Sequence, residues 1–266
     1  MGSNLEKGME QNEEKIWGFI NFFAHPPGVE ISRTHDDYGP IQIFDDGDKR
    51  YLSFGSHCEQ SCVSKSDPNA LIYEYTQAMM LALLFQRPQH VTVMGLGGGS
   101  LVKFLYHKLI DVHITAVELR PAVVEIAHAF FQLPKDQRIE ICQLDAGNYL
   151  PQATSASTDI IFCDMFDAFD IDPQQTESWF MQQCHRVLSD EGWLVVNYHQ
   201  TDTQQLRRIS SCFAEVYFCR VSTGNLVMLA GKKDSGLDKL QLKERAAAMT
   251  DTLGISLAAY LRRMGR

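Results

Sequence analysis

The stretch VTVMGLGGGSLVKFL, residues 91–105, runs from an alternating β-rich segment through four glycines in five positions into a helical pattern. A strand ending at Met94 and a helix starting near Ser100 leave Gly95, Gly97, Gly98 and Gly99 in the turn between them. Missing Cβ atoms permit positive φ there and let a ligand approach bare peptide. Alone, such a run also suits a strand-to-helix turn that needs glycine only for its geometry. The rest of the chain has to decide.

From His90 onward the pattern alternates. Strands are expected near 90–95, 113–119, 139–145, 159–165 and 192–199, with helices near 100–109, 121–131 and 174–188. Alternation of this kind implies right-handed β-α-β crossovers and a parallel sheet covered on both faces. After a helix near 202–213, EVYFCRV and NLVMLAGK are separated only by Ser222, Thr223 and Gly224. A parallel crossover needs about a dozen residues, so these two strands form an antiparallel hairpin. The expected fold is α/β, Rossmann-like and seven-stranded, the outline of a nucleoside-binding transferase.

Upstream, GPIQIFDDGDKRYLSFG reads as a β-hairpin around DDGD, and a short apolar patch covers Ile16 to Phe23. Asp67 and Pro68 read as N-cap and first residue of a helix whose apolar stretch reaches Phe85 before Pro88 closes it. Residues 234–264 look like one or two amphipathic helices. The expected division is 1–66 as an N-terminal region with the hairpin, 67–232 as the nucleoside-binding core and 233–266 as a helical tail.

With 45% hydrophobic and 21% charged residues, the 266-residue chain has the composition of a globular protein. It contains no apolar run of the roughly 18 residues that a membrane span needs. Its polar, acidic start lacks the apolar region of a signal peptide, so a cytoplasmic location and no membrane partner are expected. A net charge of −9 disfavours nucleic acid and suits a small cationic substrate. Seven cysteines without a C-x-x-C pair indicate reduced thiols. Cys58, Cys62 and neighbouring His57 fall short of the roughly four ligands of a stable zinc site, and no metal is expected.

Carboxylates then mark the strand ends. Glu118 closes HITAVE at nearly the interval of about 20 residues at which Rossmann-type sites place an acid on the ribose hydroxyls. Asp145 ends the third core strand, where it can accept from an adenine amino group. Asp164 ends the fourth, with Asp167, Asp170 and Asp172 beyond it. Clustered carboxylates repel one another unless a cation offsets them, which again points to a cationic ligand. Asp170 and Asp172 suit a helix cap instead. Asn197, Tyr198 and His199 reach the same sheet edge, His199 reading as a structural histidine. Trp17, Trp179 and Trp193 read as packing residues, and Arg262, Arg263 and Arg266 as a solvated helix end.

Taken together, the hairpin, PNALIYEYTQAMM, MGLGGGSL, AVELRPAVVEIA, QLDAGNYL and the D-x-x-D of CDMFD resemble the polyamine aminopropyltransferases, the spermidine and spermine synthases with their bacterial spermidine synthase-like relatives. The resemblance covers roughly residues 40–232. It implies the class I S-adenosylmethionine-dependent transferase fold, a homodimer, and a donor of the S-adenosylmethionine type, commonly the decarboxylated form. It also implies roles: Glu118 holds the ribose, Asp145 the adenine, Asp164 orients and deprotonates the attacking amine, Asp167 pairs with the donor ammonium, and Tyr73 lines the amine site.

The chain departs from that pattern in its glycine loop, where Gly98 replaces an aspartate that pairs with the aminopropyl ammonium. An aspartate there would repel the carboxylate of intact S-adenosylmethionine, so its absence removes a barrier to that donor. Glu74 replaces a glutamine after Tyr73, and VSTGNLVML lacks the family's proline and glutamine. Three readings follow: aminopropyl transfer, methyl transfer from S-adenosylmethionine, and binding of an adenosyl ligand without turnover.

Overall fold

In the computed structural model, residues 28–55, 59–166, 172–199 and 201–266 are described. The apolar patch at 16–23, Trp17, His57, Cys58, Asp167 and Asp170 lie outside them. Strands β1 (Val29–Asp36), β2 (Gly39–Asp46), β3 (Lys49–Ser53) and β4 (Glu59–Ser64) form an antiparallel sheet in the order β1-β2-β3-β4. The expected hairpin is β2–β3, with Asp46 opposite Lys49. Two further strands flank it. Their polar or exposed residues hide the alternation, since β1 is solvent-facing along most of its length.

Asp67 and Pro68 do not open a helix. They form a turn closed by Ala70 N–H on Asp67 C=O at 3.1 Å, and α1 (Glu74–Met79) begins later, running on as a 3₁₀ turn over Met80–Leu84. The core then alternates through β5 (His90–Met94), α2 (Ser100–Lys108), β6 (His113–Glu118), α3 (Pro121–Phe130), β7 (Ile139–Gln143), α4 (Ala146–Gln152), β8 (Thr158–Cys163), α5 (Ser178–Val187), β9 (Leu188–His199) and α6 (Thr203–Ile209), in which α4 is an unexpected helix and β9 starts four residues earlier than expected. β10 (Glu215–Arg220) and β11 (Asn225–Gly231) are the antiparallel hairpin. The tail holds α7 (Lys239–Leu253), α8 (Leu257–Leu261) and a two-residue strand, β12 (Met264–Gly265).

The core sheet therefore has eight strands, in the order β12-β10-β11-β9-β8-β5-β6-β7. The seven expected ones are all present, and β12 adds an edge against Phe218 and Cys219. Because β5, β6, β8 and β9 pair in parallel, both sheet faces are covered and both are apolar. Val91, Val93, Ile160 and Phe162 face the cluster holding Phe104 of α2 and Leu257 of α8. Met94, Ile161 and Cys163 face Phe180, Met181 and Cys184 of α5. The N-terminal sheet docks separately, Ile41, Ile43, Leu52 and Val63 packing on Val123, Ile126 and Phe131.

The tail arginines are exposed as expected, and two of them are also paired. Arg263 pairs with Glu74 and Arg266 with Glu215. Trp193 is buried as expected, whereas Trp179 is 44% exposed. No helix among the described residues is long and apolar enough to cross a membrane.

Candidate active site

A cavity of about 280 Å³ opens at the carboxyl edge of the parallel strands, walled on its other side by the N-terminal sheet and by Tyr73 and Tyr75. The turn after β5 is its floor. Gly95 has φ +88°, and a Cβ there would stand 2.2 Å from the Asp164 carbonyl oxygen. No L side chain fits, and the bare loop is thereby held against the end of β8 by Asp164 N–H on Met94 C=O at 2.9 Å.

Gly95 and Gly97 line the cavity; Gly98 and Gly99 do not. Gly98 faces Ser61 and the ring of Phe131, with a Cβ meeting Ser61 Oγ at 2.8 Å and Phe131 Cδ1 at 2.9 Å. Gly99 is the left-handed N-cap of α2. The run of four glycines thus divides into two that border the cavity and two that serve packing and helix entry.

Glu118 closes β6 and is buried. Its Oε2 accepts from Leu96 N–H at 3.0 Å and its Oε1 from Arg120 N–H at 2.9 Å. Burial pushes this carboxyl above its usual range against the pull of those amides. Asp145 is the N-cap of α4, accepting from Gly147 N–H at 2.9 Å, while its other oxygen accepts from Gln174 Nε2 at 3.0 Å. Asp172 caps the 3₁₀ turn Pro173–Thr176 through Gln174 N–H, the role expected of it.

Asp164 lies at the end of β8. Its Oδ2 accepts from the Tyr75 hydroxyl at 3.1 Å and its Oδ1 from Asn197 Nδ2 at 2.9 Å. Among the described residues no cationic side chain pairs with it, and burial raises its pKa against those two donors. Asn197 in turn accepts from Asn225 at 3.1 Å. Tyr73 stacks on Tyr75, ring centroids 5.7 Å apart, and its hydroxyl donates to Glu59 at 2.7 Å. Burial pushes both phenols above the ordinary tyrosine range. His199 is exposed and does not line the cavity.

Arg120 joins the two sheets beside this site. Its guanidinium donates to both Asp36 oxygens, at 3.0 and 2.7 Å, and to Gly39 C=O at 2.8 Å. It lies 4.5 Å from the Phe54 ring centroid. Ser100 Oγ, at the entry of α2 on the cavity wall, is buried with no hydrogen-bond partner among the described residues.

The structure adds Tyr75, Asn197, Gln174 and Arg120 to the predicted site residues. The strand-end position of Asn197 is its signal in the sequence; Tyr75, read as lying inside a longer helix, carries none. Gln174 and Arg120 gave none. Among the described residues no group of three or more His, Cys, Asp or Glu could hold a metal, and Cys62 is a buried free thiol.

Five parallel strands closed by an antiparallel hairpin, with a glycine turn and acidic strand tips at one edge, define a class I transferase fold of the S-adenosylmethionine-dependent type. A methyltransferase-domain family model matches residues 91–192. The chain is 31% identical over 248 residues to a polyamine aminopropyltransferase of Chromobacterium violaceum, covering 90% of this chain and 95% of that one. It is 34% identical over 250 residues to one of Neisseria meningitidis serogroup B, covering 90% and 94%. A probable spermidine synthase of Corynebacterium glutamicum superposes with a TM-score of 0.67 at 21% identity, over 85% of this chain and 87% of that one, a likeness of fold. The chain belongs to the polyamine aminopropyltransferase family.

Proposed function

We propose that the protein transfers an aminopropyl group from decarboxylated S-adenosylmethionine to a small amine of the polyamine type. The observation that carries this reading is Asp164, half-buried at the cavity wall, without a cationic partner among the described residues and aimed by Tyr75 and Asn197. An alkylammonium is not a nucleophile. A carboxylate with a raised pKa, hydrogen-bonded by two neutral donors, is suited to accept the proton as the amine attacks.

The donor supplies an activated propyl carbon through its positive sulfur; the carbon–nitrogen bond forms as the carbon–sulfur bond breaks, and the sulfur leaves as a neutral thioether. The protein supplies position and charge. Glu118, held rigid by two backbone amides, suits the ribose hydroxyls, and Asp145 suits the adenine amino group. Leu119 and Leu144, each 38% exposed beside them, offer apolar faces for the base. Tyr73 lines the amine site with Tyr75. Asp167 is assigned the donor ammonium on its motif alone. The chain is read as a cytoplasmic homodimer; a sedimentation mass of 30.1 kDa would overturn the dimer.

A second reading, methyl transfer from intact S-adenosylmethionine, draws on one observation. Position 98 of the loop is glycine and carries no acid to repel a carboxylate, its side-chain space being filled by Ser61 and Phe131. Calorimetric titration with both donor forms separates the two. Preference for the decarboxylated form supports aminopropyl transfer, preference for the intact form supports methyl transfer, and heat from neither ends both.

A further inference from the structure

Tyr73, Glu74 and Tyr75 each meet a different part of the molecule. Tyr73 donates to Glu59 of β4 and Tyr75 to Asp164 at the end of β8. Glu74, between them, turns away from the cavity. Its Oε2 accepts from Ser222 N–H at 2.8 Å and from the Ser222 hydroxyl, and its Oε1 accepts from Arg263. Ser222 belongs to the turn between β10 and β11, and Arg263 follows α8. One tripeptide is therefore fixed to the N-terminal sheet, the core sheet and the C-terminal segment.

Helix α1 is only six residues long, and its N-cap residue, Tyr73, makes no side-chain capping bond. A helix of this length has little cooperative stability of its own, and outside contacts set its rotation. Gln77, one turn on, donates to Leu71 C=O at 2.7 Å and accepts from the Tyr260 hydroxyl at 2.9 Å, and the grip on Glu74 is the anchor at its first residue. Three donors from two distant segments converge on one carboxylate, and the Ser222 hydroxyl, ahead of Arg263, holds it below the ordinary glutamate range.

We propose that Glu74 is a positioning residue: gripped by Ser222 and Arg263, it sets the rotation of α1 at which the Tyr75 hydroxyl reaches Asp164. The inference rests on Asp164 being the base of the proposed reaction. It makes the β10–β11 turn and the tail, which are absent from the cavity wall, contributors to turnover.

Glu74→Ala, Tyr75→Phe and the double variant test it, assayed for aminopropyl transfer with donor affinity measured in parallel by calorimetry. Glu74→Ala is expected to lower kcat about tenfold, the order of effect that a small misplacement of a catalytic group produces, while donor affinity changes less than about twofold. In the Tyr75→Phe background the same substitution is expected to cost less than about twofold, because the contact it serves is already gone. Arg263→Met provides a second, milder lesion of the same grip and should show the same dependence on Tyr75. Equal losses with and without the Tyr75 hydroxyl, or donor affinity falling along with kcat, would overturn the inference. So would a Tyr75→Phe enzyme with undiminished kcat. Asp164→Asn judges the base separately: if it stays active, the proposed reaction falls, whereas if it is dead and Glu74 shows no coupling to Tyr75, only the positioning role falls.

Discussion

The ring of Phe131 stands where a side chain at Gly98 would have to go, 2.9 Å from the position of its Cβ, with Ser61 Oγ at 2.8 Å on the other side. Phe131 is buried and belongs to the patch that docks the N-terminal sheet on α3. The missing loop acid is thus not an empty place in the chain but a packed one.

Gly98→Asp should therefore act on stability before it acts on donor choice. Forcing a side chain into this contact is expected to cost about 1–3 kcal/mol. Denaturant titration of Gly98→Asp, Phe131→Ala and the pair should show a smaller penalty for the aspartate once the ring is gone. Strict additivity would mean the two do not compete for space.

Asp164→Asn keeps the shape and removes the proposed base. Turnover should fall at least a hundredfold while calorimetric donor affinity stays within about twofold. In the parent enzyme, kcat/KM should fall as pH is lowered through a midpoint above the ordinary aspartate value of about 4, because burial raises Asp164. The sign for stability follows from the same direction. With its folded pKa above the unfolded one, Asp164 contributes most below the unfolded value and loses that contribution as pH rises through the folded value. Thermal scans across pH should show Asp164→Asn gaining on the parent as pH rises through that window.

Lys103 is wholly buried in α2, its ammonium donating to Phe131 C=O at 2.7 Å. Burial lowers its pKa from 10.5 to about 8. The unfolded chain then binds more protons than the folded one between those values, so the parent should gain stability relative to Lys103→Met as pH rises from about 8 to about 10. Urea titrations at the two ends of that range check the slope; a flat difference would mean that the amine stays protonated throughout.

Arg120→Met removes the partner of Asp36 and the donor to Gly39 C=O. The expected cost is about 2 kcal/mol, below the roughly 3–5 kcal/mol of a fully buried pair, because the Asp36 side chain is 21% exposed. Donor affinity should fall as well, since Tyr38 and Phe54, which line the cavity, rest on this guanidinium. Unchanged affinity at reduced stability would place the clamp outside ligand recognition.

The core was legible because its signals are local: alternation of β-branched and apolar runs with helices, and a turn of three residues that forces a hairpin. Glu118, Asp145 and Asp164 could be placed from strand ends alone, and all three line one cavity. What escaped depends on contacts distant in sequence. Tyr75 and Asp164 are 89 positions apart, Arg120 and Asp36 84, Glu74 and Arg263 189. Gly98 and Gly99 share a motif with Gly95 and Gly97, yet only the path of Phe131 and Leu133 shows that they face elsewhere. The late start of α1 was hidden because Asp67–Pro68 fits a turn as readily as a helix entry.

The seam between the two sheets runs through the cavity, with the acidic strand tips on one bank and much of the enclosing wall on the other. Substitutions in the turn around Tyr38 can therefore reshape what the pocket admits while leaving the strands that carry Asp164 and Glu118 untouched.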